Sequence, residues 1–119
     1  VVLESFAPGY LASHNLDYQT LKTYQPRLIL TSITPFGQNG PYRDFQETDL
    51  VCAALGGQAY FEGPHDGPPV SLPRYQSYQM AGLHAAYGTL LSLWESHRSG
   101  KGQHVDVSVQ EVTAHAHFN

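Results

Sequence analysis

Apolar and polar positions alternate along this chain in a rhythm that shifts several times, and each shift predicts a new element. The first run, Val1 to Phe6, opens on Val-Val-Leu and reads as a short strand ended by Pro8-Gly9. Tyr10 to Asn15 is long enough for a helical turn. Asp17 is a candidate N-cap for a helix over Tyr18 to Gln25, in which Leu21 and Tyr24 share a face and which Pro26 stops. Arg27 to Ile33 predicts a second strand, since consecutive Leu28, Ile29 and Leu30 mark a strand buried on both faces. Strand, helix and strand in that order imply a βαβ unit with a parallel sheet, and therefore an α/β fold.

The middle of the chain is punctuated rather than periodic. Thr34 to Tyr42 is dense in Gly and Pro and predicts a loop; turn geometry alone accounts for its glycines. Thr48 is a candidate cap for a helix from Asp49 to Leu55, closed by Gly56-Gly57. Gly63 to Pro73 is rich in proline and predicts a surface loop. From Tyr75 to His97 the rhythm turns helical, with Met80, Leu83, Tyr87, Leu90, Leu91 and Trp94 at helical spacing. Ala81, Gly82, Ala85, Ala86 and Gly88 interleave with them, so another backbone can approach closely. Gly100 ends this helix, because glycine tolerates the left-handed conformation that closes a helix C-terminus. The pattern then changes to period two and places Val105, Val107 and Val109 on one face of a short strand. Ala114 to Asn119 reads as the first turns of a further helix.

Composition narrows the picture. With 119 residues, 41% hydrophobic and 13% charged, the chain is globular and has room for one modest domain or a piece of a larger one. It opens directly on a strand pattern without an initiator Met and closes inside a helix pattern, so a fragment is the expectation. Six Lys plus Arg against ten Asp plus Glu gives −4 without basic clusters, which argues against a nucleic-acid partner. No apolar run approaches the roughly 20 residues of a membrane span, and no signal-peptide pattern opens the chain. The single Cys52 permits no internal disulfide, suits a reducing cytoplasm, and reads as a small buried apolar residue.

Metal and hydrolase chemistry find little support. His14, His65, His84, His97 and His104 have neither a Cys partner nor an HExxH arrangement. On a helix, His115 and His117 diverge by about 200°. No metal site is expected. Ser108 stands outside any G-x-S-x-G elbow, and no Gly-Lys-Ser/Thr closes the Gly37 to Gly40 loop.

Three stretches carry a family resemblance. They are Glu4-Ser5-Phe6-Ala7-Pro8-Gly9; Pro26-Arg27-Leu28-Ile29 continuing to Phe36-Gly37-Gln38-Asn39-Gly40-Pro41-Tyr42; and Asp49, Gly56-Gly57, Gly63 and Asp66-Gly67-Pro68-Pro69 joined to Gly82 and Gly100-Lys101-Gly102-Gln103. In this order and spacing the chain resembles the family III CoA-transferases, the formyl-CoA transferase and carnitine CoA-transferase-like group. The resemblance implies that residues 1–119 form part of a Rossmann-like large domain. Residues 1–33 would be its βαβ unit, 34–73 a loop and short-helix region, and 74–119 a long helix, a short strand and a helix start. The long helix would lead to a small domain, and the complete protein would be an interlocked homodimer.

The implied activity moves coenzyme A from an acyl-CoA to a carboxylate acceptor through a mixed anhydride on an enzyme Asp. The coenzyme A thioester is a substrate, and no covalently bound cofactor is implied. Counting in from both flanking landmarks, the nucleophile position falls on Tyr78, and Arg74 to Met80 contains no carboxylate; the nearest acids along the chain are Asp66 and Glu95. A phenol cannot form the acyl anhydride. Ser5 stands where the family has Asn and Phe6 is kept, both along the coenzyme, while Ser13 and His14 occupy a stretch where a basic residue often meets phosphate. Asp49 keeps an acidic position near the acyl group, or is simply an acid favoured at a helix N-terminus. A racemase branch of the family would need His at Thr48 and Asp at Tyr78, and has neither. The resemblance thus implies a segment of a CoA-transferase acting on small organic acids, or a non-catalytic half of a fused one.

Overall fold

The computed structural model describes residues 1–70 and 73–116. Its elements follow the order β1 (Val2–Glu4), α1 (Tyr10–Ser13), α2 (Tyr18–Tyr24), β2 (Leu30–Thr34), α3 (Asp49–Leu55), α4 (Gln58–Phe61), α5 (Gln76–Ser99), β3 (His104–Ser108) and α6 (Val109–His115). The three strands are parallel, with β2 between β1 and β3. Val2 lies opposite Leu30, and Leu30 to Thr34 runs opposite His104 to Ser108. The α/β architecture with a parallel sheet is therefore as expected, with α1 and α2 crossing from β1 to β2 and α3 to α5 crossing from β2 to β3.

Local capping fixes most boundaries. The Asp17 carboxylate accepts from the Thr20 N–H at 3.1 Å, the Thr48 hydroxyl from Val51 at 3.4 Å, and Gly100 closes α5 at φ 73° with its N–H donated to Ser96. Two expectations need correction. The second strand begins at Leu30 rather than Arg27, because the Leu28 N–H donates to Gln25 O and completes the turn behind α2. Val109 heads α6 instead of extending the strand. The Ser108 hydroxyl accepts from Glu111 N–H at 3.2 Å, and that cap turns the chain into a helix while Val109 stays buried. The short helix α4 appears in no periodic pattern; Gly57 at φ 87° reverses the chain into it.

In α5 the close approach expected of the small residues is made at Ala81 and Ala85. Its buried side is made of small residues, Ser77, Ala81, Ala85, Ser92 and Ser96, while Leu83, Tyr87, Leu90, Leu91 and Trp94 are exposed. Small residues let the helix axis approach the sheet and α6; a Cβ on Gly88 would meet Val105 at 3.0 Å. The core consists of Cys52, Ala81, Ala85, Val107, Val109 and Val112, with Ile33, Met80 and Val105 packed against it. Ala114 and His115 end α6 rather than opening a further helix; His117 to Asn119, and Ser71-Leu72 of the proline-rich loop, lie outside the described residues.

Candidate functional site

The site forms where β1 and β2 run out and α3 and α5 begin. Past β1, the Phe6 N–H donates to the Glu4 carboxylate at 2.8 Å, which turns the chain outward and leaves the Phe6 ring half exposed. Gly9, at φ 86°, starts α1. One ladder of rings then follows, Phe6 against Tyr10 and Tyr10 against His14, with centroids 4.6 Å apart in each pair. The Ser13 hydroxyl donates to Tyr10 O at 2.7 Å and lies 3.0 Å from His14 Nδ1. Phe6 and His14 thus belong to one surface, and Ser13 is spent on its own helix.

A cation that sequence reasoning missed stands beside this surface. Arg43 lines a cavity with Ser5, Phe6, Ala7 and Pro8, and its guanidinium approaches Gly9 so closely that a Cβ there would meet it at 3.3 Å. Its exposed pairing with Asp44, at 3.1 Å, leaves it accessible. The signal available was its place directly after the Gly40-Pro41-Tyr42 turn.

Tyr78 occupies the first turn of α5. The two residues before that helix, Arg74 and Tyr75, have φ of 67° and 53°, left-handed values unusual for side chains of this size. Tyr75, at the N-cap position, supplies no side-chain acceptor. Asp49 does so from across the fold, accepting the Tyr78 N–H at 3.3 Å. The buried Asp49 therefore acts as a distant cap on α5, where the positive end of the helix dipole favours a carboxylate.

The Tyr78 phenol reaches past Asp49 and donates to Glu47 Oε1 at 2.8 Å. The second oxygen of Glu47 accepts from the Cys52 thiol at 3.3 Å. Burial foremost, then the hydrogen bond to Glu47 and its charge, push both the Tyr78 phenol and the Cys52 thiol well above their ordinary pKa values. Both groups are protonated donors at neutral pH. Asp66 and Glu95 are the acids nearest along the chain, whereas Glu47 and Asp49 are the carboxylates in contact with residue 78.

A second cavity of about 340 Å³ lies against this cluster, lined by Ser5, Ile33, Thr34, Pro35, Glu47, Tyr78 and Val109. Ser5, Pro35 and Glu47 also line the Phe6–Arg43 cavity, so they form the boundary between the two. The Thr34 hydroxyl, on a residue 1% exposed, is without a hydrogen-bond partner among the described residues. Among the described residues no group of His, Cys, Asp and Glu comes together to hold a metal ion, and no helix is long and apolar enough to cross a membrane.

A model of CoA-transferase family III matches residues 1–117. The chain belongs to that family. It is 41% identical over 116 residues to the succinyl-CoA:(R)-benzylsuccinate CoA-transferase subunit BbsE of Thauera aromatica, covering 98% of this chain and 28% of that protein. It is 37% identical over 116 residues to the succinyl-CoA–L-malate CoA-transferase beta subunit of Chloroflexus aurantiacus, covering 93% and 28%. Among solved structures, a CAIB/BAIF family protein from Brucella suis superposes with a TM-score of 0.91 at 32% identity, over 96% of this chain and 30% of that one. The chain spans less than a third of the length of the relatives it matches.

Proposed function

We propose that the protein containing this chain is an acyl-CoA:carboxylate CoA-transferase for small organic acids, working through an acyl anhydride on a protein carboxylate. The observation that carries this reading is the pair of adjoining cavities in a family III fold. One has an aromatic face and a guanidinium, Phe6 and Arg43; the other has a carboxylate, Glu47, and position 78; Ser5 and Glu47 belong to both. Phe6 and His14 flank the coenzyme, and Arg43 provides the phosphate-pairing charge that Ser13 and His14 do not. Asp49 supports the site by capping α5. The complete protein is a homodimer, a reading supported by the open apolar side of α5.

A second reading is favoured by Tyr78 and by the two relatives that are named as subunits. In it the chain belongs to a non-catalytic half, and a partner polypeptide supplies the nucleophile. One experiment separates the readings. The complete protein is incubated with succinyl-CoA and a set of small dicarboxylates, and new CoA thioesters are followed by chromatography. Transfer by the purified protein alone supports the first reading. Transfer that begins only when a second family III polypeptide is added supports the other.

A further inference from the structure

We propose that Glu47 supplies the acyl-accepting carboxylate that position 78 lacks. The inference rests on the transferase reading above and assigns its covalent step to a residue of this chain. The Tyr78 side chain fills the place of an acid and at the same time binds one that comes from the loop before α3. Its phenol holds Oε1 of Glu47 at 2.8 Å, and the Cys52 thiol holds Oε2 at 3.3 Å. A carboxylate fixed through both oxygens has a defined plane, yet each oxygen retains acceptor capacity, since a carboxylate offers about four lone-pair sites. Neither donor is charged, so the carboxylate is oriented without being neutralised by a cation.

Position agrees with this role. Glu47 lines the Phe6–Arg43 cavity on one side and the Tyr78 cavity on the other. A thioester whose coenzyme runs along Phe6 and whose acyl group enters the second cavity brings its carbonyl carbon to that boundary. Thr34 gives an independent sign of a ligand. The residue lines the same cavity, and its hydroxyl is buried and without a hydrogen-bond partner among the described residues. Buried hydroxyls without partners are uncommon.

The step balances without any co-reactant. A lone pair of a Glu47 oxygen forms a bond to the thioester carbonyl carbon, and the C–O double-bond electrons move onto oxygen. Collapse of that tetrahedral species breaks the C–S bond, and the pair leaves with sulfur as CoA thiolate. The product is a mixed anhydride on Glu47; no proton is consumed and nothing is oxidised.

The test uses the complete protein and succinyl-CoA as the probe. After incubation, hydroxylamine is added, the protein is digested, and modified peptides are located by mass spectrometry, with CoA exchange measured in parallel. The expected result is a donor-dependent hydroxamate on Glu47. It should be absent from E47Q, while CoA binding by calorimetry stays within twofold of wild type. A hydroxamate on a different carboxylate, or exchange with Glu47 unmodified, overturns the assignment and leaves the transferase reading standing. No exchange and no adduct, with CoA bound, overturns both. Mapping of the unsubstituted protein decides the matter even if E47Q fails to fold.

Discussion

Substituting Gly102 by Ala tests how tightly the sheet is tied to the helix that precedes it. Gly102 lies between the end of α5 and the start of β3, where its N–H donates to Pro26 O at 2.7 Å. A Cβ at this position would overlap Leu28 O and lie 2.7 Å from the Arg27 carbonyl carbon. Those atoms are backbone, so no rotamer change relieves the contact and the two segments must separate. Overpacking an interior usually costs about 1–3 kcal/mol, and losing the Gly102–Pro26 hydrogen bond adds about 1 kcal/mol. We therefore expect Gly102→Ala to destabilise the complete protein by roughly 3 kcal/mol, a large share of a typical domain's stability. Urea unfolding is the assay, and the midpoint should fall with little change in slope. The same separation disturbs the β2–β3 register at Leu30 and His104, which sets Thr34 opposite Ser108 and so places Thr34 and Val109 on the cavity wall. CoA binding should weaken alongside stability. A loss below about 1 kcal/mol, within the range of ordinary point substitutions, would refute this account of the contact.

Three further outcomes follow from individual residues. In the 119-residue chain, Gly82→Ala should raise stability by up to about 1 kcal/mol through helix propensity, because among the described residues nothing beyond the helix's own backbone lies within 4 Å of the added Cβ; a lower urea midpoint would contradict that. Cys52, fully buried and with its thiol pKa pushed up, should resist iodoacetamide at pH 8 in the native protein and react once urea unfolds it; rapid native labelling would count against the burial. The raised Tyr78 pKa makes its contribution to stability complete below the ordinary tyrosine value near 10 and progressively lost as pH climbs toward the native value. Wild type should therefore lose stability above about pH 10 more steeply than Tyr78→Phe in paired urea titrations; identical slopes would exclude that linkage.

What could be read along the chain was set by residues that act on their own neighbours. Asp17, Thr48 and Gly100 satisfy backbone groups within a few positions, so their signals survive without knowledge of the fold. The strand–helix–strand order likewise fixed a parallel sheet, because few alternatives satisfy the handedness and connection rules. Predictions failed where two local signals competed. Val109 continued the valine alternation but stood directly after a serine able to cap a helix, and the cap won. For α5 the interleaved small residues signal a close approach, and Ala81 and Ala85 make it. Large apolar residues and small ones both recur at helical spacing, and periodicity does not say which face approaches the sheet. Here close approach selected Ala81 and Ala85, and the larger side chains were left outside.

The site shows the same limit in sharper form. Position 78 was found from landmarks on either side of it, and its lack of a carboxylate was plain. Distance along the chain favours Asp66 and Glu95 as the nearest acids. Distance along the chain carries no weight once α3 and α5 pack start to start. That packing carries Asp49 to the backbone of residue 78 and Glu47 to its side chain. Aspartate at position 78 would not need such a neighbour, and would in fact be repelled by two nearby carboxylates. A tyrosine turns that arrangement around, since a protonated phenol is a donor that a second carboxylate can use. Tyr78 is read along the sequence as the loss of an acid; in the fold it is a group that holds one in place.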